Sequence, residues 1–346
     1  MNPLPIFNGK RNLDEVSFIR PILIILLILV HCFTVFNGGW APFKGYNDCS
    51  TYKWLSRFCY SFLLETFVFI SGYVWAYQVL DLRKQTTLRL LIKNKIERLI
   101  VPSIIFSILY WGLYSNENIT SIMGGGRFLL SILSGVGHLW YLPTLFWCFI
   151  SMWIIEKIEI SDRTKLIVLS FFALLPYPYI PFQIGRVPYY LLFFFAGYKT
   201  WQHGESFRCS ITTTRMLVSW LLFLVIFIVL RLFTAHIIEM SEFAPFFVKV
   251  VFKITVTFCK VFYSSLGLIA IYSTALWYTN NHQLSKFYIS IGNLCFGVYI
   301  FQEFIIKYLY YYSVLPVEVN YLALPWLTFG ITLVLPLLLS KTTKSL

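Results

Sequence analysis

Charge is what this chain has least of. Of its 346 residues only 12% are Asp, Glu, Lys or Arg, against roughly 25% in an ordinary soluble domain. A deficit of that size excludes a water-soluble enzyme of the usual build, a disordered tail and a coiled coil. No GxxxxGK[ST] loop is present, which argues against an ATP-driven pump. Neither HExxH nor GxSxG occurs, and no acidic cluster suggests a metal, so the metalloprotease and serine-hydrolase readings fall away and no metal site is expected. The seven cysteines include no CxxC pair. Most lie inside apolar runs, where a thiol is a small buried hydrophobe; only Cys49 and Cys59, flanking one loop, are placed to pair.

What the chain has instead is apolar length. Hydrophobic residues make up 58% and aromatics 20%, with a mean hydropathy of +0.71. The natural unit is the membrane span of about 20 apolar residues. Apolar runs near 19–36, 58–80, 99–114, 128–155, 164–182, 187–201, 216–237, 261–279, 287–309 and 322–340 predict an all-α polytopic membrane protein of about ten spans. It forms one integral-membrane domain over 1–346, with no soluble domain. The first run ends in Asn37-Gly38-Gly39-Trp40, without the small-residue cleavage site of a signal peptide, and reads as a retained span. The fourth is interrupted by Gly135 and Gly137, so part of it is expected to bend or re-enter. The stretch from Glu242 to Lys260 carries Lys249 and Lys253 at i, i+4, which suits a helix lying along the interface.

The net charge of +13 has its ordinary membrane meaning. Basic residues gather in cytoplasmic loops and face anionic headgroups, and no basic patch interleaved with aromatics points to nucleic acid. The 81–98 connection alone carries Arg83, Lys84, Arg89, Lys93, Lys95 and Arg98. Alternate loops with both termini hold about 18 Lys and Arg against about 10 on the other side, which places both termini in the cytoplasm.

An ionisable residue within the spans costs at least roughly 2.5–3.5 kcal/mol at mid-helix, so each is a functional candidate. His31 lies inside PILIILLILVHCF. Arg20 is eleven residues earlier, within about 20° of the same helix face and about 16 Å away along the axis. An arginine anchors anions and a neutral imidazole is the usual base near pH 7; the plain alternative is a histidine bonded to a neighbouring helix and a snorkelling arginine. Glu65, in the second span, lies about 10 Å below the outer edge and His31 about 13 Å below it. A carboxylate at that depth would orient the imidazole, or would simply be protonated or line a vestibule. His138, Trp140 and Tyr141, in HLWYLP, suit either an interfacial aromatic belt or contact with sugar rings. Gln302 and Glu303 are polar residues late in the ninth span. Lys93, Lys95 and Arg98 read first as positive-inside charge, and second as a phosphate receptor on the side of Arg20.

Together these residues resemble the integral-membrane acyltransferase-3 family, which includes bacterial surface-polysaccharide O-acetyltransferases. Arg20-x10-His31 is similar to its signature, FVFISGYVW at 67–75 to its FFFxSG segment, and KIERLIVP at 95–102 to its basic loop. HLWYLP at 138–143, FFFAGY at 193–198 and IGNLCFGVYIFQE at 291–303 are similar to later motifs, in order along nearly the whole chain. None of the five histidines begins the HxxxxD pattern of the glycerophosphate-type acyltransferases. Gln302 stands where the family often has histidine, Glu65-Thr66 replaces a more apolar pair, and a stand-alone form is expected.

The resemblance implies transfer of an acyl group, usually acetyl from acetyl-CoA, to a hydroxyl of a glycan or lipid-linked sugar in the inner or plasma membrane. No tightly bound cofactor is expected; acyl-CoA is a co-substrate. On this reading His31 acts as general base or carries the acyl group, and Glu65 orients it. Arg20, Lys95 and Arg98 hold the phosphates of acyl-CoA, and His138, Trp140 and Tyr141 contact the acceptor. The alternative is a saccharide transporter with His31 and Glu65 as a proton relay. The orientation is checked by labelling. A lone reactive cysteine introduced as Lys93→Cys should be modified by an impermeant maleimide only from the cytoplasmic side, and labelling from outside would reverse the topology.

Overall fold

A computed structural model of the chain describes residues 13–84, 87–114, 122–176, 180–241 and 244–344. Among them no strand occurs. Helix α1 (Asp14–Cys32) runs into a 3₁₀ turn (Thr34–Asn37); α2 (Ser50–Ala76) continues as a π-helical turn (Tyr77–Asp81). Then come α3 (Leu88–Lys95), a second π-helical turn (Ile96–Ile100), α4 (Val101–Tyr114) and α5 (Ile122–Ser134). A 3₁₀ turn (Gly137–Trp140) leads into α6 (Tyr141–Ile155), followed by α7 (Asp162–Leu174) and a 3₁₀ turn (Pro181–Arg186). The chain closes with α8 (Val187–His203), α9 (Glu205–Cys209), α10 (Thr213–Ser241), α11 (Phe246–Asn281), α12 (Lys286–Gly292), α13 (Cys295–Tyr311), α14 (Leu315–Glu318) and α15 (Leu324–Lys344).

Among the described residues seven helical stretches are long and apolar enough to cross a membrane, and α12 with α13, bent by 60° at their break, make an eighth where the pair is counted as one span. The difference from ten expected spans lies at α7 and α8, of 13 and 17 residues; α7 is short of a full span and α8 stands at its lower limit. The apolar run at 164–182 suggested a longer α7, but Leu175 is extended (φ −68°, ψ 142°), as the residue before a proline must be to avoid its ring. The expected span at 128–155 is two helices, divided at Gly135–Gly137. The amphipathic segment expected from Glu242, a residue outside the described ones, is not separate: Lys249, Lys253 and Lys260 lie on α11, which runs on to Asn281. Cys49 and Cys59 are both free thiols.

The core forms where α2 meets α8, α1 and α11. In a bilayer there is little hydrophobic drive between helices, so close backbone approach supplies the contact. The two glycines of the similar segments FVFISGY and FFFAGY provide it reciprocally. A methyl group on Gly72 of α2 would lie 2.0 Å from the Phe194 carbonyl oxygen, and one on Gly197 of α8 would lie 2.0 Å from the Phe69 carbonyl oxygen. Helix α11 seats on α2 in the same way, Gly267 against the Phe62 side chain. By contrast α10 buries few of its side chains and packs mainly on α11.

Any side chain at the glycine seam must push two backbones apart. Gly72→Val and Gly197→Val are each expected to destabilise the protein by about 1–3 kcal/mol or more, read as a lower thermal midpoint in detergent. Gly112→Val, at a position with open space around it, is the control; an equal loss there would remove the seam from the explanation.

Candidate active site

The site is assembled where α1 ends and α13 passes it. His31 closes the last turn of α1, and its Nδ1 lies 2.8 Å from Oε1 of Gln302, a fully buried side chain on α13. An amide oxygen only accepts, so Nδ1 is the nitrogen that carries a proton, and in the neutral imidazole the lone pair is on Nε2. The Trp40 ring stacks on the imidazole at 5.9 Å, and His138 meets it edge-on at 6.1 Å.

Beside Gln302 on α13, Glu303 is buried among donors. Its Oε1 accepts from Tyr110 Oη at 2.5 Å, and its Oε2 accepts from the backbone N–H of His138 at 3.1 Å. The same Oε2 lies 2.9 Å from His138 Nδ1. The other ring nitrogen, Nε2, lies 3.1 Å from the Ile300 carbonyl oxygen, and Tyr299 Oη donates to the His138 carbonyl at 2.6 Å. His138 is thus engaged on both nitrogens and its carbonyl, and Glu303 stands close enough to act electrostatically on His31. A buried carboxylate needs this company, because an unpaired charge in low dielectric is expensive.

Sequence explains the fit of the turn that carries His138. Gly137 has φ +58°, and a methyl group there would come 2.8 Å from both Glu303 Oε1 and the Tyr110 ring. Only glycine combines that backbone with that approach. Ser107 Oγ accepts from the Val136 N–H at 3.0 Å and anchors the same turn to α4.

Two cavities approach this centre. One, of about 360 Å³, is lined by His31, Trp40, Tyr60, His138, Trp140 and Glu303 among others. The second, also about 360 Å³, is mostly apolar and is lined by Arg20, Leu27, Leu99, Tyr141, Cys295 and Tyr299 among others. Tyr299 lines the Arg20 cavity while its hydroxyl bonds His138, which lines the His31 cavity. The Tyr141 and Tyr299 rings, 6.1 Å apart, both line the Arg20 cavity.

Several residues expected together are apart. Glu65 is buried, but it accepts from Tyr189 Oη at 2.7 Å and pairs with Lys260 Nζ at 3.5 Å. The partner of His31 is Gln302 and the carboxylate acting on it is Glu303, so Glu65 does not orient the imidazole. A depth along α2 does not fix a direction around the helix. Arg20, Lys95 and Arg98 do not share a cavity either. Lys95 and Arg98 line a third one of about 130 Å³ with Trp75, Gln78 and Lys84, and Lys95 Nζ sits 3.3 Å over the Phe149 ring. Of the three expected acceptor contacts, Trp140 lines the His31 cavity, His138 lines it with both nitrogens engaged, and Tyr141 lines the Arg20 cavity. Sequence reading passed over Tyr110, Tyr299 and Trp40, whose signals are no stronger than those of any other aromatic in an aromatic-rich chain. Among the described residues no group of three or more His, Cys, Asp and Glu is placed to hold a metal ion.

No curated protein and no solved structure matches the chain. The profile of the acyltransferase-3 family, described as an acyltransferase domain, matches residues 13–341, from the first turn of α1 almost to the end of α15. That match covers every element of the site, and the chain belongs to the acyltransferase-3 family.

Proposed function

We propose that this membrane acyltransferase moves an acetyl group from cytoplasmic acetyl-CoA to a hydroxyl of a glycan or lipid-linked saccharide presented from the other side. The observation that carries the reading is a polar and aromatic cavity lined by His31 beside a mostly apolar cavity lined by Arg20, the two linked by the Tyr299 hydroxyl on the His138 carbonyl. The CoA phosphates sit at Lys95 and Arg98 through charge-assisted hydrogen bonds. Arg20 guides the thioester arm into the apolar cavity. Arg20 and His31 are eleven residues apart on α1, about 16 Å by helical rise, a distance an extended thioester arm spans.

The chemistry follows from the tautomer. With Nδ1–H donated to Gln302, Nε2 removes the proton of the acceptor hydroxyl as its oxygen attacks the thioester carbonyl. The resulting imidazolium is stabilised by the nearby Glu303 carboxylate. Collapse of the tetrahedral intermediate breaks the C–S bond, and the proton passes from His31 to the departing thiolate. The acyl group has then passed from sulfur to oxygen and the histidine has returned to its starting state.

The test uses purified protein in detergent with labelled acetyl-CoA and a saccharide acceptor. His31→Ala is expected to lower kcat by about 10²–10⁴ with little change in either KM. Full transfer by that variant would refute the role. Gln302→Leu, which removes the tautomer-fixing acceptor, is expected to lower kcat while leaving binding intact. Incubation with labelled donor alone is expected to leave the protein unlabelled, and acetyl-enzyme on His31 would replace the base by a covalent relay.

The donor and acceptor ends separate in a second set of variants. Arg98→Gln and Lys95→Gln are expected to raise the KM for acetyl-CoA and spare the acceptor, while Trp140→Ala does the reverse. If Arg98→Gln weakened only the acceptor, the donor path would be misplaced.

A further inference from the structure

Two cations are seated on the tryptophans that line the His31 cavity. The Arg186 guanidinium carbon lies 4.0 Å from the centre of the Trp140 ring. Lys307 Nζ lies 5.2 Å from the centre of the Trp40 ring and 4.9 Å from that of Tyr110. Both tryptophans line the cavity. Against the two cations, Glu303 is the one carboxylate among the residues lining it. Glu303 is already occupied by Tyr110 and His138, and its field also reaches Lys307. Nothing comparable answers Arg186: among the described residues it makes no ion pair and no side-chain hydrogen bond. A cation half-withdrawn from water without an anionic partner is unfavourable, so its place needs a reason.

The backbone supplies an independent sign that this arginine is placed for use. Arg186 ends the turn Pro181–Arg186, and within that turn Phe182 (φ 59°, ψ 21°) and Gln183 (φ 61°, ψ 16°) are consecutive left-handed residues. Neither is glycine, and such conformations persist only when the surroundings impose them. Ser134 imposes them here. Its Oγ accepts from the Phe182 N–H at 3.2 Å, and its carbonyl accepts from Gln183 Nε2 at 3.0 Å. Ser134 is itself buried, and it immediately precedes the Gly135–Gly137 turn that presents His138. The strained turn bearing Arg186 and the turn bearing His138 are therefore tied to one residue, which fixes the guanidinium relative to the reacting centre.

We infer that the acceptor is an anionic saccharide, whose carboxylate or phosphate is received by Arg186 with Lys307 across the cavity while Trp40 and Trp140 flank its ring. The word acceptor rests on the acyl-transfer reading above; the anion site does not. A guanidinium laid over an aromatic face keeps its N–H donors at the ring edge, where they meet a carboxylate or phosphate in the fork geometry that arginine favours. The field of Lys307 is partly cancelled by Glu303, so Arg186 carries most of the recognition.

Three oligosaccharides of one backbone decide the matter: a neutral one, one bearing a uronic acid, and one bearing a sugar phosphate. Binding of each is measured without donor, on the wild-type protein, R186Q and R186K in nanodiscs of zwitterionic lipid, which removes anionic headgroups as competitors. The wild type is expected to bind one or both acidic forms roughly tenfold more tightly than the neutral one, with the preference weakening as salt rises. R186Q should abolish that preference and R186K should restore part of it, which also shows that the charge and not the fold was lost. A preference for the uronate alone or the phosphate alone identifies the source of the negative charge. Equal binding of all three by the wild type, or an undiminished preference in R186Q, overturns the inference. Transfer from labelled acetyl-CoA to the same three compounds is scored separately. An anion preference in binding without any transfer sinks the acetyl-CoA reading and keeps the anion site; transfer without preference does the opposite.

Discussion

A carboxylate withdrawn from water must be met by donors, and the surroundings of Glu303 are arranged around that demand. Tyr110 comes from α4, the His138 amide and ring from the turn before α6, and Gln302 beside it turns to His31 on α1. Three separate segments therefore converge on two adjacent residues of α13. Burial makes each of those contacts stronger than it would be in water and makes the loss of any one more costly. The position of His31 is a consequence: its ring is held by an amide on the same helix that carries the buried charge.

The rest of the helical frame keeps these segments in place. The reciprocal glycine contact between α2 and α8 is backbone against backbone, so it admits no side-chain adjustment and fixes the spacing of the two helices. From that seam α2 reaches α1 on one side and α11 on the other. The junction of α3 with α4 and the C-terminal end of α2 carry π-helical turns, at Ile96–Ile100 and Tyr77–Asp81, and π-turns of this kind commonly mark functional positions. They border the small cavity that holds Lys95 and Arg98.

Much of this was legible in the sequence where one coordinate sufficed. Helical rise alone related Arg20 to His31, and apolar length alone marked most of the membrane helices. The interruption at Gly135 and Gly137 was visible because glycine is a poor helix former, and its purpose became visible only with Glu303 opposite it. Readings that needed an angle around a helix axis failed. Glu65, expected at the depth of His31, faces Tyr189 and Lys260, and Arg20 opens on a different cavity from Lys95 and Arg98. Hydropathy also overran α7, because the leucines and aromatics around Pro176 keep the run apolar while the proline stops the helix. Arg186 carried no signal in the sequence, since its place depends on two left-handed residues with no glycine to announce them.

The α10–α11 hairpin has a mechanical side. At 1.5 Å per residue the 36 residues of α11 run about 54 Å, beyond the roughly 30 Å of a hydrocarbon core. A helix of that length accommodates the bilayer by tilting or by protruding, and the cost of either depends on lipid thickness. Because α11 is seated rigidly on α2 through Gly267 and Phe62, a change of tilt is not absorbed in a loose loop. It reaches α2 as a torque, so the thickness of the surrounding bilayer becomes a variable of the enzyme's own geometry.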